Sequence, residues 1–293
     1  MLERSALCML IGGVLSAGCS IDVSGNSATV HEEKRFTVGS GVRLRVSTFD
    51  GPVEIRSWDQ NEVLVQIERR ASTTEAAQAL EVRTRQDGDT VVVEAPSRRD
   101  SDGFDGFTNS ASVAFMITVP RQAALDVTSG DGAISVREVA GALSLRTGDG
   151  SISAEGVDGE VRLHTGDGAI SVQNGRGVFD LDSGDGSIAL SASIEGLRVS
   201  SGDGAVRVDA MPGSVAKSDW TVTTGDGSID VRVPSAIDAL IDAHSGDGRV
   251  HADWVKAPAD PDDDAGSFQG RLGNGGGTIR LRTGDGSIDI SRR

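Results

Sequence analysis

The stretch that decides the fold reads TGDGSISA from Thr147 to Ala154, and it returns as TGDGAISV from Thr165 to Val172. The Gly-Asp-Gly signature occurs eight times, and the copies in the centre of the chain are spaced eighteen residues apart. The aspartates of the eight copies are Asp131, Asp149, Asp167, Asp185, Asp203, Asp226, Asp247 and Asp285. Self-similarity at a fixed period predicts a stacked architecture in which each repeat contacts its neighbours.

Each repeat carries two short apolar patterns. After Asp149, the first is Ile152 and Ala154, and the second is Val161 and Leu163, with polar residues between the members of each pair. This alternation is typical of half-buried strands. The sequence therefore predicts an all-β fold, a β-solenoid of the β-helix or β-roll-like type, with two strands in each eighteen-residue coil.

The repeat also divides the chain. We expect a signal peptide at 1–18, a tether at 19–34, N-terminal β coils at 35–122 and the regular Gly-Asp-Gly solenoid at 123–293. A looser copy of the repeat, LRVSTFDGPVEI, begins at Leu44. One short helix is predicted after Thr74, because Thr is a good N-cap and Ala, Glu and Leu favour helix. Two surface loops, 97–110 and 257–277, are predicted from their Gly, Pro and Asp content.

The N-terminal segment MLERSALCMLIGGVLSAGCS predicts export. Its apolar run is too short to span a bilayer comfortably and is typical of a secretory signal. The residues that lead to Cys19 resemble the bacterial lipobox, which implies that Cys19 carries the lipid anchor and that Cys8 is removed. Ser20, in place of Asp, resembles the sorting signal for the outer membrane. We therefore expect an exported protein, lipid-anchored to the cell envelope, and to the outer membrane in a Gram-negative cell.

Composition limits the partners. The net charge is −16 and lysine is confined to three positions, which excludes a nucleic-acid-binding surface of the usual basic kind. Aromatic residues make up only 3% of the chain, so an aromatic-lined pocket is not expected. The partners that remain are the membrane, through the lipid anchor, and an envelope protein or a glycan.

The role of the repeated aspartates has two interpretations. In adjacent strands they would lie about 4.8 Å apart, where two carboxylates repel by roughly 0.9 kcal/mol in water. A carboxylate that accepts backbone N–H hydrogen bonds is stabilised by about 1.5 to 3 kcal/mol, which is more than this repulsion. A structural role in the turn can therefore account for the row of aspartates. We therefore expect each Asp to accept such bonds and the following Gly to need a positive φ. Binding of a cation such as Ca²⁺ along the line is the alternative.

Two other functions stay open. A calcium-binding β-roll has the pattern G-G-x-G-x-D-x-U-x, but in TGDGSISA its calcium aspartate is replaced by Ile152. A polysaccharide-active β-helix enzyme would need two carboxylates that converge in a groove. No nucleophile elbow, phosphate loop or zinc motif occurs in the chain. We assign no catalytic residue, metal site or cofactor.

From Val113 onwards, VAFMITVPRQAALDVTSGDGAISV resembles a widespread bacterial family of unknown function labelled "putative adhesin". The matching residues are Ile117, Val119 and Pro120, the coils from Leu125 onwards, and the earlier GPVEIRSW at Gly51. The resemblance implies a β-solenoid and export. Together with Cys19, it leads us to expect a non-catalytic cell-envelope lipoprotein that acts as a scaffold or an adhesin-like surface protein.

Overall fold

The computed structural model describes residues 15–24, 27–96, 111–254 and 266–293. Within these ranges the chain forms twenty-three strands and one short helix, so the predicted all-β class is confirmed. The strands are β1 (Leu15–Ser24), β2 (Ser27–Thr37), β3 (Val42–Thr48), β4 (Val53–Trp58), β5 (Glu62–Ala71), β6 (Arg83–Asp87), β7 (Thr90–Ala95), β8 (Ser112–Pro120), β9 (Ala123–Ser129), β10 (Ile134–Arg137), β11 (Ala140–Thr147), β12 (Ile152–Glu155), β13 (Asp158–Thr165), β14 (Ile170–Ser183), β15 (Ile188–Ser201), β16 (Val206–Ala210), β17 (Trp220–Thr224), β18 (Ile229–Val233), β19 (Ala239–Ser245), β20 (Val250–Ala252), β21 (Ser267–Leu272), β22 (Thr278–Thr283) and β23 (Ile288–Arg292); the helix α1 is Thr74–Gln78.

Parallel pairing arranges most strands in two files. In the Gly-Asp-Gly repeats, the strand that leads towards each corner belongs to the inbound file, and the strand that leaves the corner belongs to the outbound file. In stacking order the inbound file is β7, β3, β9, β11, β13, the second halves of β14 and β15, β17, β22 and β19. The outbound file is β8, β4, β10, β12, the first halves of β14 and β15, β16, β18, β23 and β20.

The core lies between the two files. Ile152, Ile170 and Ile188 are register partners in successive strands, and each is about 1% exposed. Burying a side chain of this size stabilises the fold by about 1.5 to 3 kcal/mol. One continuous apolar cluster runs from Phe36 to Ile290. The aliphatic positions predicted from the repeat therefore stack layer upon layer, because in-register parallel pairing places equivalent side chains on the same face.

Antiparallel strands close the N-terminal end of the stack. β8 pairs with β5, β5 with β2 and β2 with β1, while β6 pairs with β7. Residues 27–34, which we expected in a tether, therefore lie in a sheet strand. The difference arises because β2 finds a ten-residue partner in β5, a pairing between segments that share no repeat.

Helix α1 lies beside these end strands. Its Ala77 is fully buried and packs in a small cluster with Val30 of β2 and Ala71 of β5. The predicted helix is confirmed, but its N-cap is Thr73, whose Oγ1 accepts a hydrogen bond from the N–H of Ala76 at 3.1 Å. In the part of the chain described here, no helix is long and apolar enough to cross a membrane.

The C-terminal end departs from sequence order. β22 lies between β17 and β19, and β23 lies between β18 and β20. The last coil of the chain is therefore inserted between two coils that precede it in the sequence. Gly276 and Gly277 lead into this gap, where a Cβ on either residue would lie 2.6 Å from a backbone oxygen. A side chain would block the passage between the two layers.

The two predicted loops have different outcomes. The first loop, 97–110, lies outside the described residues. The second, 257–277, contains the strand β21, which pairs antiparallel with β19. The loop prediction was therefore wrong at β21, because the edge of β19 supplies hydrogen-bond partners that a Gly-rich local sequence does not reveal.

Candidate functional site

The repeated aspartates form one line along a corner of the stack. All eight are exposed. Pairing of the adjoining strands sets their order, in which the corner of Asp285 lies between those of Asp226 and Asp247. Within the described chain, none of the eight carboxylates accepts a backbone hydrogen bond. The expectation that these side chains hold the turn was therefore wrong.

The turn is held instead by the residue that begins each motif. Thr165 is fully buried, and its Oγ1 donates a hydrogen bond to the carbonyl oxygen of Gly150 at 2.8 Å. Thr165 Oγ1 also accepts a hydrogen bond from the N–H of Gly168 at 3.2 Å. Each hydroxyl of this kind links its own corner to the preceding layer. A buried hydroxyl that both donates and accepts leaves no unsatisfied polar group at the corner.

We call this set the hydroxyl ladder. All of its members are buried, and eight of them donate to a glycine carbonyl of the adjacent layer. The members are Thr48, Ser129, Thr147, Thr165, Ser183, Ser201, Thr224, Ser245 and Thr283. A signal for it exists in the sequence, because Thr147 follows Leu143 and Leu145 in the same inward phase.

The corner glycines are required by close approach and not by backbone angle. Gly51 has a φ of 123°, but none of the eight glycines that follow a repeated Asp has a positive φ. The predicted need for a positive φ was therefore wrong in all eight full copies. A Cβ on Gly150 would lie 2.3 Å from the carbonyl oxygen of Gly132, and one on Gly168 would lie 2.1 Å from that of Gly150. At these glycine positions the layers stack too closely to accommodate a side chain.

The repeated aspartates do not come together in the way that the ligands of a metal ion do. Among the residues that the structure describes, no three His, Cys, Asp or Glu side chains form a group that could hold a metal ion. The aspartates instead form a single line of similar carboxylates, one in each layer.

Cys19, the predicted lipid attachment site, lies in β1. Its backbone is opposite Glu32 of β2, at a position where the register of the two strands shifts. Ser20, the predicted sorting residue, is exposed. The predicted lipid attachment site therefore lies in the outermost strand at the N-terminal end of the stack.

Charged side chains at the two ends have shifted pKa values. Burial raises the pKa of the Glu32 carboxyl, but hydrogen bonds from Lys34 and Arg69 outweigh this effect and hold the pKa below its ordinary value. Lys34 Nζ lies 3.0 Å from Glu32 Oε1. At the other end, a 2.6 Å hydrogen bond from Arg282 lowers the pKa of the Asp242 carboxyl. Both carboxylates are therefore ionised parts of the end structures.

The outer face of the inbound file bears a shallow groove that the sequence did not reveal. It encloses about 440 Å³ and adjoins a second depression of about 400 Å³. Arg162, Asp180 and Arg198 line both depressions and come from three successive strands. Alternating charges on an outer strand face are typical of any solvated sheet, so the sequence pattern did not single out these residues.

The stacked all-β core and the repeated corner define a class of β-repeat protein. The chain belongs to the family described as Toastrack DUF4097, whose model matches residues 42–291. This confirms the resemblance found from the repeats. No curated protein matches the chain.

The chain is similar to solved structures at low sequence identity, and one of them shares its fold with a TM-score above 0.5. The chain is 12% identical to a "putative lipid binding protein" from Parabacteroides distasonis, with a TM-score of 0.51 and coverage of 90% of this chain and 96% of that one. It is also 12% identical to a "putative adhesin" from Bacteroides fragilis, with a TM-score of 0.43 and coverage of 90% and 97%. A "putative cell adhesion protein" from Clostridium sporogenes is 13% identical, with a TM-score of 0.30 and coverage of 90% and 100%.

Proposed function

We propose that this chain is an exported, lipid-anchored envelope protein whose β-solenoid is a non-catalytic scaffold with an adhesin-like role of surface display. The observation that supports this most strongly is the continuous core from Phe36 to Ile290, which makes the coils one stack. Repetition places the acidic side chains along an exposed line, whereas a polysaccharide-cleaving site needs two carboxylates that converge on one bond.

Anchoring through Cys19 is the part of the proposal that is tested first. Acyl chains contribute about 0.8 kcal/mol for each buried methylene, so two or more hold a protein on a membrane stably. Cys19→Ser in the full chain is expected to move the protein from the membrane fraction to the soluble fraction. Cys8→Ser is the matched control, because Cys8 would leave with the signal peptide, and it should not change the distribution. A soluble wild-type protein whose intact mass shows an unmodified Cys19 would refute anchoring.

The destination of the anchor depends on Ser20 in our proposal. In a cell with an outer membrane, Ser20→Asp is expected to shift the protein from the outer to the inner membrane. Separation of the two membranes on a density gradient measures this shift. An unchanged distribution would exclude Ser20 as the sorting residue while leaving the Cys19 experiment intact.

The scaffold needs no cofactor in this proposal. Each layer is held by apolar packing and by the hydroxyl ladder, neither of which involves a metal ion. The melting temperature is expected to be the same in chelator and in millimolar calcium. A clear rise with calcium would favour the alternative of a calcium-dependent module.

A further inference from the structure

The groove on the inbound file has two opposite charges at its centre that do not bind each other. Asp180 of β14 and Arg198 of β15 are register partners on adjacent strands, which places their backbones about 4.8 Å apart. Within the described chain, neither side chain forms a hydrogen bond or an ion pair. Asp180 is half-buried and Arg198 is exposed.

The charges around this pair are already engaged. Arg162, on the other side of Asp180, binds Glu160 of its own strand. His164 and Asp182 lie 2.7 Å apart in the neighbouring register position. Asp180 and Arg198 are therefore a negative and a positive group that remain available to a ligand, whereas the other charged side chains that line the two depressions have hydrogen-bond or ion-pair partners.

The shape of the groove comes from a missing side chain. Gly196 is buried beside Val178, which is 45% exposed. A Cβ on Gly196 would lie 3.3 Å from Val178 Cγ1 and would fill the space between them. The floor beside the two free charges is thus open and partly apolar.

The combination of charges restricts the ligand. A simple anion would be repelled by Asp180 and by a chain of net charge −16, and a simple cation would be repelled by Arg198. A guanidinium binds phosphate oxygens through parallel N–H donors, and a carboxylate accepts hydrogen bonds from an ammonium group. A ligand that carries both charges, one strand spacing apart, satisfies both side chains.

We propose that this groove binds a zwitterionic phosphoethanolamine group, with the phosphate on Arg198 and the ammonium on Asp180. The two-carbon linker between phosphate and ammonium spans a distance comparable to the separation of the two strands. The proposal deepens the display function above by giving the displayed face a ligand. It does not require the lipid anchor, so Cys19→Ser protein is expected to bind equally well.

Calorimetry on the full chain with O-phosphoethanolamine as the probe tests the proposal. The probe is expected to bind at least about tenfold more tightly than inorganic phosphate or ethanolamine, each of which offers one charge. Arg198→Gln and Asp180→Asn should each weaken binding by about tenfold. Arg207→Gln is the matched control, because Arg207 is exposed in the outbound file and already lies 3.2 Å from Asp230. Equal melting temperatures would show that the variants are folded.

Two results would overturn the proposal. One is equal affinity for O-phosphoethanolamine and for phosphate alone, which would mean that the ammonium makes no contact. The other is unchanged binding by both Arg198→Gln and Asp180→Asn. Flotation with phosphatidylethanolamine vesicles, against phosphatidylglycerol vesicles as control, identifies the source. Vesicle binding that the groove variants abolish supports a lipid headgroup, and binding of the soluble probe alone supports a headgroup-like substituent on another envelope molecule.

Discussion

The centre of this stack and its two ends are held by different interactions, although they share one hydrophobic core. In the centre, each layer repeats the same buried hydroxyl, the same glycines and the same aliphatic pairs. At the ends, antiparallel strands and ion pairs between unrepeated residues take over. A repeat specifies how one layer continues into the next, but it contains no information about where stacking stops.

The ends also differ in how they protect their edges. At the N-terminal end, Glu32 is held by Lys34 and Arg69 next to the antiparallel strands. At the C-terminal end, Asp242 receives Arg282 from the inserted coil, and β21 covers the edge of β19. Charged and irregular terminal layers are a known means of preventing edge-to-edge association.

The largest expected effect distinguishes a central glycine from an end glycine. A Cβ on Gly150 would lie 2.3 Å from the carbonyl oxygen of Gly132 in the adjacent corner, which also accepts a hydrogen bond from Thr147 and cannot move away without losing it. Gly150→Ala is expected to lower the free energy of unfolding by about 3 kcal/mol. Gly88, in the turn between β6 and β7, has a φ of 55° and no atom within 4 Å of an added Cβ. Gly88→Ala should cost only about 1 kcal/mol. Urea unfolding measures both, and equal losses would contradict the difference between centre and ends.

The hydroxyl ladder provides the second test. Thr165→Val keeps the side-chain shape but leaves the carbonyl of Gly150 and the N–H of Gly168 without their buried partner. A loss of about 2 kcal/mol in the free energy of unfolding is expected. Thr223→Val is the control, because Thr223 is only half-buried and its Oγ1 lies 3.3 Å from the carbonyl oxygen of Val199. If both substitutions have the same small effect, the ladder does not hold the central layers together.

The N-terminal ion cluster gives a pH-dependent effect. The pKa of Glu32 is lower in the folded chain than in the unfolded chain, so its contribution is complete above the unfolded-state pKa and disappears as the pH falls through the folded-state pKa. Glu32→Gln is expected to cost about 1 kcal/mol at neutral pH. The difference from wild type should shrink as the pH falls below about 4.3. Thermal unfolding across this pH range, with Glu54→Gln as an exposed control, checks both statements; a difference that is constant with pH would refute them.

The smallest effect concerns the aspartate line. Asp167 is exposed, and its two neighbours along the corner are also carboxylates. Asp167→Asn is therefore expected to raise the melting temperature slightly at low salt, and high salt should remove the gain. A decrease in melting temperature at any salt concentration would show that the carboxylate has a structural role after all.

The columns of buried aliphatic residues could be predicted, because the burial of apolar side chains determines which face of each strand points to the core. Alternation of apolar and polar residues determines which side chains face the core, and the eighteen-residue period places Ile152 next to Ile170. The corner was harder, since Asp and the preceding Ser or Thr both repeat in every copy. Only the inward phase of Thr147 indicates that the hydroxyl, and not the carboxylate of Asp149, is the buried partner.

The ends and the groove could not be predicted in the same way. The motifs at Asp226, Asp247 and Asp285 are nearly interchangeable, so nothing in them encodes that the last coil lies under the one before it. Pairing of β2 with β5 joins segments without a shared pattern. The sequence did not identify Asp180 and Arg198. Whether these charges are available to a ligand depends on which neighbouring charges are already paired, and that pairing is determined by side-chain positions.

The inserted C-terminal coil limits how the molecule can be assembled. β19 and β20 are made before β22 and β23 but lie outside them, so the outermost layer cannot reach its final position until the rest of the chain has arrived. A chain that emerges N-terminus first could build the central layers one after another. The last step is instead a joint closure, and a chain cut short after Gly277 would lose the inner surface on which its outermost layer rests.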